Sequence, residues 1–273
     1  MSEIKDIIEA VSESNAEIVK EIYNDAAKPI VQPTAEIAGL VPRAVRAALA
    51  PLEKWIIQKE YNIAETKKLL EEKLKDVKPD NIKPPEAHVA VPALQYLSYC
   101  MDNEELRDMY ANLLANSMNS VIKKGVHPGF VEIIKQLSPD EAKVMKYFSS
   151  NRTVPTITLR YERKSGDGID VVKNFSIIGE IVGCEQPLDI NMYFDNLIRL
   201  GLLKASSTLS TLTNKELYDP LKSHPVIEKY SNQKIFENSE FEKSAIVEGY
   251  MSLTDFGEAF CNICLTTDKP NNM

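Results

Sequence analysis

The stretch from Asn103 to Val144, NEELRDMYANLLANSMNSVIKKGVHPGFVEIIKQLSPDEAKV, constrains this chain more than any other. Leu106, Met109, Tyr110, Leu113, Leu114 and Val121 recur at spacings of three, four and seven, with small Ser117 as the one polar gap. That pattern predicts a long helix with an apolar stripe wide enough to face a core. A turn at Gly125–Pro128 follows. A second helix, Pro128 to Leu137, repeats the pattern with Phe130, Ile133, Ile134 and Leu137. Ser138-Pro139-Asp140-Glu141 then reads as a new helix start, with Ser as N-cap, Pro at the first helical position and Glu closing a capping box. A chain built this way must bury helix faces against one another.

The segments before it are also helical in pattern. Ile4, Ile7, Ile8, Val11, Ile18, Val19 and Ile22 share one face of an N-terminal helix that should end near Ala27, ahead of Pro29 and Pro33. Ala35 to Ile57, AEIAGLVPRAVRAALAPLEKWII, is the most apolar stretch, and Pro42 and Pro51 suit the first turns of two helical segments. Arg43, Arg46 and Trp55 allow an interfacial helix on a membrane. The other reading is a helix buried in the protein or in an oligomer. It is favoured because two arginines and one Trp give weak interfacial character and the many alanines suit close packing. Lys59 to Val77 reads as a charged helix with Ile63, Leu70 and Leu74 on one side. The Pro-rich link Pro79–Pro92 should run extended, and Ala93–Met101 should be a short helix.

From Ala142 onward the period changes. Thr156–Glu162 alternates as a strand, Ser165-Gly-Asp-Gly168 is a turn, and Ile169–Val172 can pair back. Phe175–Val182 reads as a short helix. Leu188–Leu200 is a clear one, with Ile190, Phe194, Leu197 and Ile198 on its face and Gly201 as terminator. Leu202–Lys204 and Val247–Leu253 read as strands. Thr254–Leu265 reads as a helix capped by Thr254, with Phe256, Phe260 and Ile263 inward. Ser206 to Ser244 is polar and hard to assign, with Leu221–Tyr230 as one more helix. The fold class expected is mainly α: a helical domain over 1–137, then an α+β domain over 138–265 with an insertion at about 209–247, and a tail over 266–273.

The phrases Leu197-Ile-Arg-Leu-Gly-Leu-Leu203 and Leu253-Thr-Asp-Phe-Gly257 resemble those of winged-helix domains, where the first leads into the wing and the second opens the closing helix. Many winged helices read DNA through the second helix of the motif. Here that helix, Asp189 to Leu200, has Arg199 as its only cation and carries Asp189 and Asp195. Phosphate contacts from Lys and Arg supply most such affinity, so a protein-binding or structural role is favoured over DNA. Net charge agrees: the chain carries −8, divided as −4 on each side of Leu137, and neither part is a basic module.

Taken together, APLEKW, PPEAHVAVPALQYLSYCMDNEELRDMYANLLANSMN, VHPGFVEIIKQLSPDEA, NLIRLGLL and LTDFGEAFCNIC resemble the bacterial Abi-alpha (abortive infection alpha) family, in order and over most of Ala35 to Cys264. The resemblance implies a role in defence against phage, often by stopping growth of an infected cell. It brings no catalytic residue with it.

Neither G-x-G-x-x-G nor G-x-x-x-x-G-K-[ST] occurs, nor does H-E-x-x-H. His88, His127 and His224 lie far apart, and His127-Pro128 and His224-Pro225 read as turn or cap residues. Cys261-x-x-Cys264 has metal-ligand spacing, but no second pair accompanies it, and Cys100 and Cys184 are isolated. Buried thiols are the better reading. With no apolar run at the start and no spanning segment, a cytoplasmic, reduced protein is expected, non-enzymatic, without cofactor or metal. A protein partner or a homo-oligomer is expected, with nucleic acid disfavoured by charge and peripheral membrane contact open. Asp108, Asn112, Asn116 and Asn119, spaced four, four and three, form a polar stripe that reads either as an interaction face or as a solvated face or interhelical network.

Overall fold

The computed structural model describes residues 63–206, 210–231 and 240–265. The expected N-terminal helix, the apolar segment with Arg43, Arg46 and Trp55, and the tail after Thr266 lie outside them. The described residues divide into two compact units, one formed by 63–102 with 109–131, the other by 103–108 with those from 132 to 265.

In the first unit, α1 (Ile63–Leu74) buries Leu70 and Leu74. Helix α2 runs Ala87–Leu97. It therefore starts inside the stretch expected to be extended and carries Pro92 within it, which corrects that expectation. An interior proline costs about 3 kcal/mol. Burial of Val89, Ala90, Ala93, Leu94 and Leu97 along one face offsets it, at about 1.5–3 kcal/mol for each larger side chain.

Helix α3 runs Glu104–Met118 and buries Met109 through Ala115 without a break. It ends seven residues before the expected Gly125 turn, because its terminal groups are taken up elsewhere. Lys83 donates its N–H to the Met118 carbonyl at 2.8 Å, and Ser120 donates to that of Asn81 at 2.8 Å. Ile82 bridges to Asn119 at the same point. Val121 consequently falls past the helix and is 66% exposed rather than inward. Tyr110 donates its hydroxyl to the Val131 carbonyl at 3.3 Å, and its ring stacks on Tyr96. Helix α4 (Gly129–Lys135) follows; Phe130, Ile133, Ile134 and Leu137 are buried as their spacing predicts.

In the second unit, α5 (Pro139–Ser150) opens on the expected capping box: the Ser138 hydroxyl accepts from the Glu141 N–H, and Glu141 accepts from the Ser138 N–H. Strand β1 (Thr153–Glu162) and β2 (Gly168–Phe175) form a hairpin. Helices α6 (Ile178–Ile181) and α7 (Ile190–Arg199) follow, then β3 (Leu203–Ala205). The polar region holds two short helices, α8 (Asp219–Lys222) and α9 (Pro225–Ser231), where one was expected from Leu221 to Tyr230. Pro225 opens the second of them. Strand β4 (Lys243–Leu253) and α10 (Asp255–Cys264) complete the unit.

The sheet is antiparallel throughout, in the order β2-β1-β4-β3. β4 pairs with β1 from Thr153↔Ser252 to Glu162↔Lys243, so it begins four residues earlier than its alternation alone suggests. Ile157, Leu159 and Phe175 are buried on one face of the sheet and Met251 on the other; the rings of buried Phe148 and Phe194 meet edge to face. Gly201 ends α7 at φ 74°, a backbone state that costs glycine nothing. The Thr254 hydroxyl caps α10 by accepting the Gly257 N–H at 2.9 Å. Phe260 and Ile263 are buried, while Phe256 is half-buried rather than fully inward. The molecule is thus mainly helical, with its four-stranded sheet confined to the C-terminal part.

Candidate functional site

The polar stripe on α3 is not an open face. Asn112 and Asn119 are 4% and 8% exposed, and Asp108 and Asn116 are half-buried. Asn119 accepts the Val121 N–H on its side-chain oxygen at 3.0 Å, which turns the chain out of the helix. Its role there is to close α3. Arg43, Arg46 and Trp55 lie outside the described residues.

The densest polar constellation surrounds Asp140, 6% exposed in the first turn of α5. It accepts the backbone N–H of Glu185 at 3.0 Å and of Gln186 at 3.1 Å, the Tyr193 hydroxyl at 2.9 Å and the Lys143 ammonium at 3.3 Å. Burial alone would raise its pKa, but these four donors outweigh it and hold the carboxyl below its usual range. Burial pushes the Tyr193 phenol up, and the carboxylate beside it adds to that. The Cys184 thiol is pushed up to about 11, again by burial. Every lone pair of Asp140 faces a donor. The group is an anchor joining α5 to the α6–α7 turn, not a base awaiting a proton. Sequence reading missed it, because its partners lie 45, 46 and 53 residues away; only the Ser-Pro-Asp-Glu start was visible.

Glu141 and Arg199 extend the same seam. Asn196 donates to Glu141 at 2.7 Å and to the Gln136 carbonyl at 3.1 Å. Arg199, the one cation of α7, donates to Asn196 and to the Gln136 side chain. It is committed to neighbours within the protein.

The two His-Pro pairs act as caps. His127 Nδ1 accepts the Gly129 N–H at 3.0 Å, and His224 Nδ1 accepts the Val226 N–H at 3.3 Å. In His224 the second nitrogen lies 2.9 Å from Glu180. An acceptor role for Nδ1 requires the neutral ring to carry its proton on Nε2. Both nitrogens of His224 thus have partners within the protein. Cys261 and Cys264 are buried on α10; burial pushes Cys261 up to about 12 and Cys264 well above its usual value. Thiols held so firmly protonated are poor nucleophiles and poor ligands. Among the described residues no group of three or more His, Cys, Asp or Glu is placed to hold a metal ion, and no helix is long and apolar enough to cross a membrane.

What remains exposed is the outer side of α7. Leu188, Asn191, Met192, Asp195 and Arg199 fall at helical spacing along it. Leu188 and Met192 are 51% and 58% exposed. This side presents apolar groups with one carboxylate and one cation, and not the several cations that a phosphate backbone requires.

Comparison with known proteins bears on what this arrangement serves. The family model described as "Abortive infection alpha" matches residues 58–264. No curated protein matches the chain. A solved structure of an uncharacterized protein from the hydrocarbon-degrading marine bacterium Alcanivorax borkumensis is similar at 19% identity, covering 50% of this chain and 92% of that one with a TM-score of 0.37.

Proposed function

The chain belongs to the abortive infection alpha family, and from that premise we propose that it serves phage defence of the abortive-infection type by binding a protein partner or by self-association, without catalysis of its own. The family match over 58–264 carries the defence role. The engagement of Asp140, Glu141, His224 and Arg199 in holding the second unit together supports a non-catalytic mode. We read that unit as a winged helix adapted to protein contact, working in the cytoplasm. The order α5, β1, α6, α7, β3, β4 supports this reading, as does the pairing of β4 between β1 and β3; β2 is then an added hairpin strand. The apolar outer side of α7, with a single cation along it, supports a protein partner over nucleic acid.

The test is phage plaquing efficiency on cells expressing the chain, combined with light scattering of the purified protein. Reduced plaquing together with a stable oligomer or a stoichiometric protein complex is the expected result. Unchanged plaquing across a broad phage panel overturns the defence role. A salt-sensitive DNA shift abolished by Arg199→Glu overturns the protein-partner mode.

A further inference from the structure

Three of the nine large apolar side chains exposed among the described residues, Ile181, Leu188 and Met192, lie within twelve positions of one another. Single exposed apolar residues need no explanation; a group of them does. Leu188 and Met192 are one helical turn apart. Ile181, two residues past Gly179, falls toward the other side of α6, whose Gly179 side packs against the turn carrying Leu188. That packing is close: a Cβ on Gly179 would collide with the backbone of Pro187. The group is therefore held on rigid backbone.

Its surroundings are anionic. Glu180, Glu185, Asp189 and Asp195 are all exposed. Glu185, Asp189 and Asp195 have no Lys or Arg partner among the described residues, and Glu180 lies 2.9 Å from the His224 ring. Of the nearby cations, Lys143 is paired with Asp140, while Arg199 donates to the neutral amides of Gln136 and Asn196 and keeps its charge, one cation against the four carboxylates. From Leu188 to Arg199 the face runs about 17 Å at the helical rise, roughly three turns of an opposing helix.

The geometry points to this face as a docking site for an amphipathic, basic helix of a protein partner, its apolar side on Leu188 and Met192 and its lysines or arginines against the exposed carboxylates. The inference rests on the partner-binding reading above and assigns that reading a surface. Charge complementarity selects the occupant: an acidic helix would be repelled, and a nucleic-acid backbone more so. The apolar centre supplies affinity, while the rim sets orientation and salt dependence.

The probe is a labelled peptide of about 18 residues with leucines on one helical face and lysines elsewhere, titrated into the full chain by fluorescence anisotropy. A scrambled peptide of equal composition and a leucine/glutamate version are the controls. The wild type is expected to bind the amphipathic lysine peptide alone. Leu188→Ser with Met192→Ser should weaken it by about tenfold or more, since anchor truncations each cost upwards of about 1 kcal/mol. Leu217→Ser with Ile246→Ser, exposed elsewhere, should change nothing. Glu185→Lys with Asp195→Lys gives an independent arm that should weaken binding and flatten its salt dependence, so poor folding of one variant leaves the other to decide. Equal binding of the scrambled peptide, or by Leu188→Ser/Met192→Ser, overturns the site. Plaquing separates the two levels. If the wild type protects and Leu188→Ser/Met192→Ser protects equally at equal abundance, the site falls and the partner-binding reading stands; no protection by the wild type removes both.

Discussion

Replacing Asp140 by Asn tests the view that its carboxylate is an anchor. The change keeps shape and removes charge. Each oxygen now accepts a backbone N–H, from Glu185 or from Gln186, so whichever becomes an amide nitrogen must face a donor with a donor. A hydrogen bond to a charged group contributes about 1.5–3 kcal/mol, and a buried donor left unsatisfied costs about 1–3 kcal/mol. These overlap, and the expected loss is about 2–4 kcal/mol. Tyr193→Phe, which leaves both backbone donors satisfied, should cost about 1 kcal/mol. Hydrogen exchange at Glu185 and Gln186 reads the loss locally: protection should fall roughly 30- to 1,000-fold in Asp140→Asn at about 1.4 kcal/mol per tenfold. The wild type adds a pH signature. The folded pKa of Asp140 lies below the ordinary aspartate value of about 3.9, so the unfolded chain binds the proton more readily. Its contribution is then complete above about pH 4 and fades as pH falls through the folded value. The difference between wild type and Asp140→Asn should therefore be constant near neutrality and shrink below pH 4. Protection in Asp140→Asn within threefold of wild type, or no greater loss than in Tyr193→Phe, would refute the anchor.

Further expectations follow from the same geometry. Gly257→Ala would drive a Cβ into the Leu202 carbonyl, and the overpacking should cost about 1–3 kcal/mol or more, read as a lower urea midpoint. Alkylation of the native protein at pH 8 should modify Cys100 well before Cys184, Cys261 and Cys264, since burial keeps those three protonated; mass spectrometry over time gives the order. His224→Ala should lower stability by about 0.5–2 kcal/mol through the lost cap yet leave phage protection intact at equal abundance, whereas a catalytic histidine would abolish it.

Much of the architecture was legible because its signals are local. The Ser138 capping box, the Gly201 stop, the Thr254 cap and the apolar faces of α3, α4 and α7 all lie within single turns of chain. The errors have a common cause in distant partners. Pro92 argued for a break, but packing of Val89 and Ala90 carried the helix through it. The periodicity of α3 ran on to Val121, but Lys83 and Asn81 captured the end of the helix. For Asp108, Asn112, Asn116 and Asn119 the spacing left an interaction face, a solvated face and an interhelical network all open, because spacing says nothing of what covers a face. The Asp140 anchor was invisible for the same reason.

The β1–β4 pairing has a consequence for synthesis. Residues 153–162 emerge from the ribosome some ninety positions before 243–253, their central neighbours. Until then β1 can find only β2, and the buried Leu159 and Ile157 have one flank without a strand. Pairings so separated along a chain form late and slowly. A message cut short anywhere before Leu253 would release a hairpin with an open, greasy border, so premature stops in this gene should yield aggregates or protease fragments and not partly working protein.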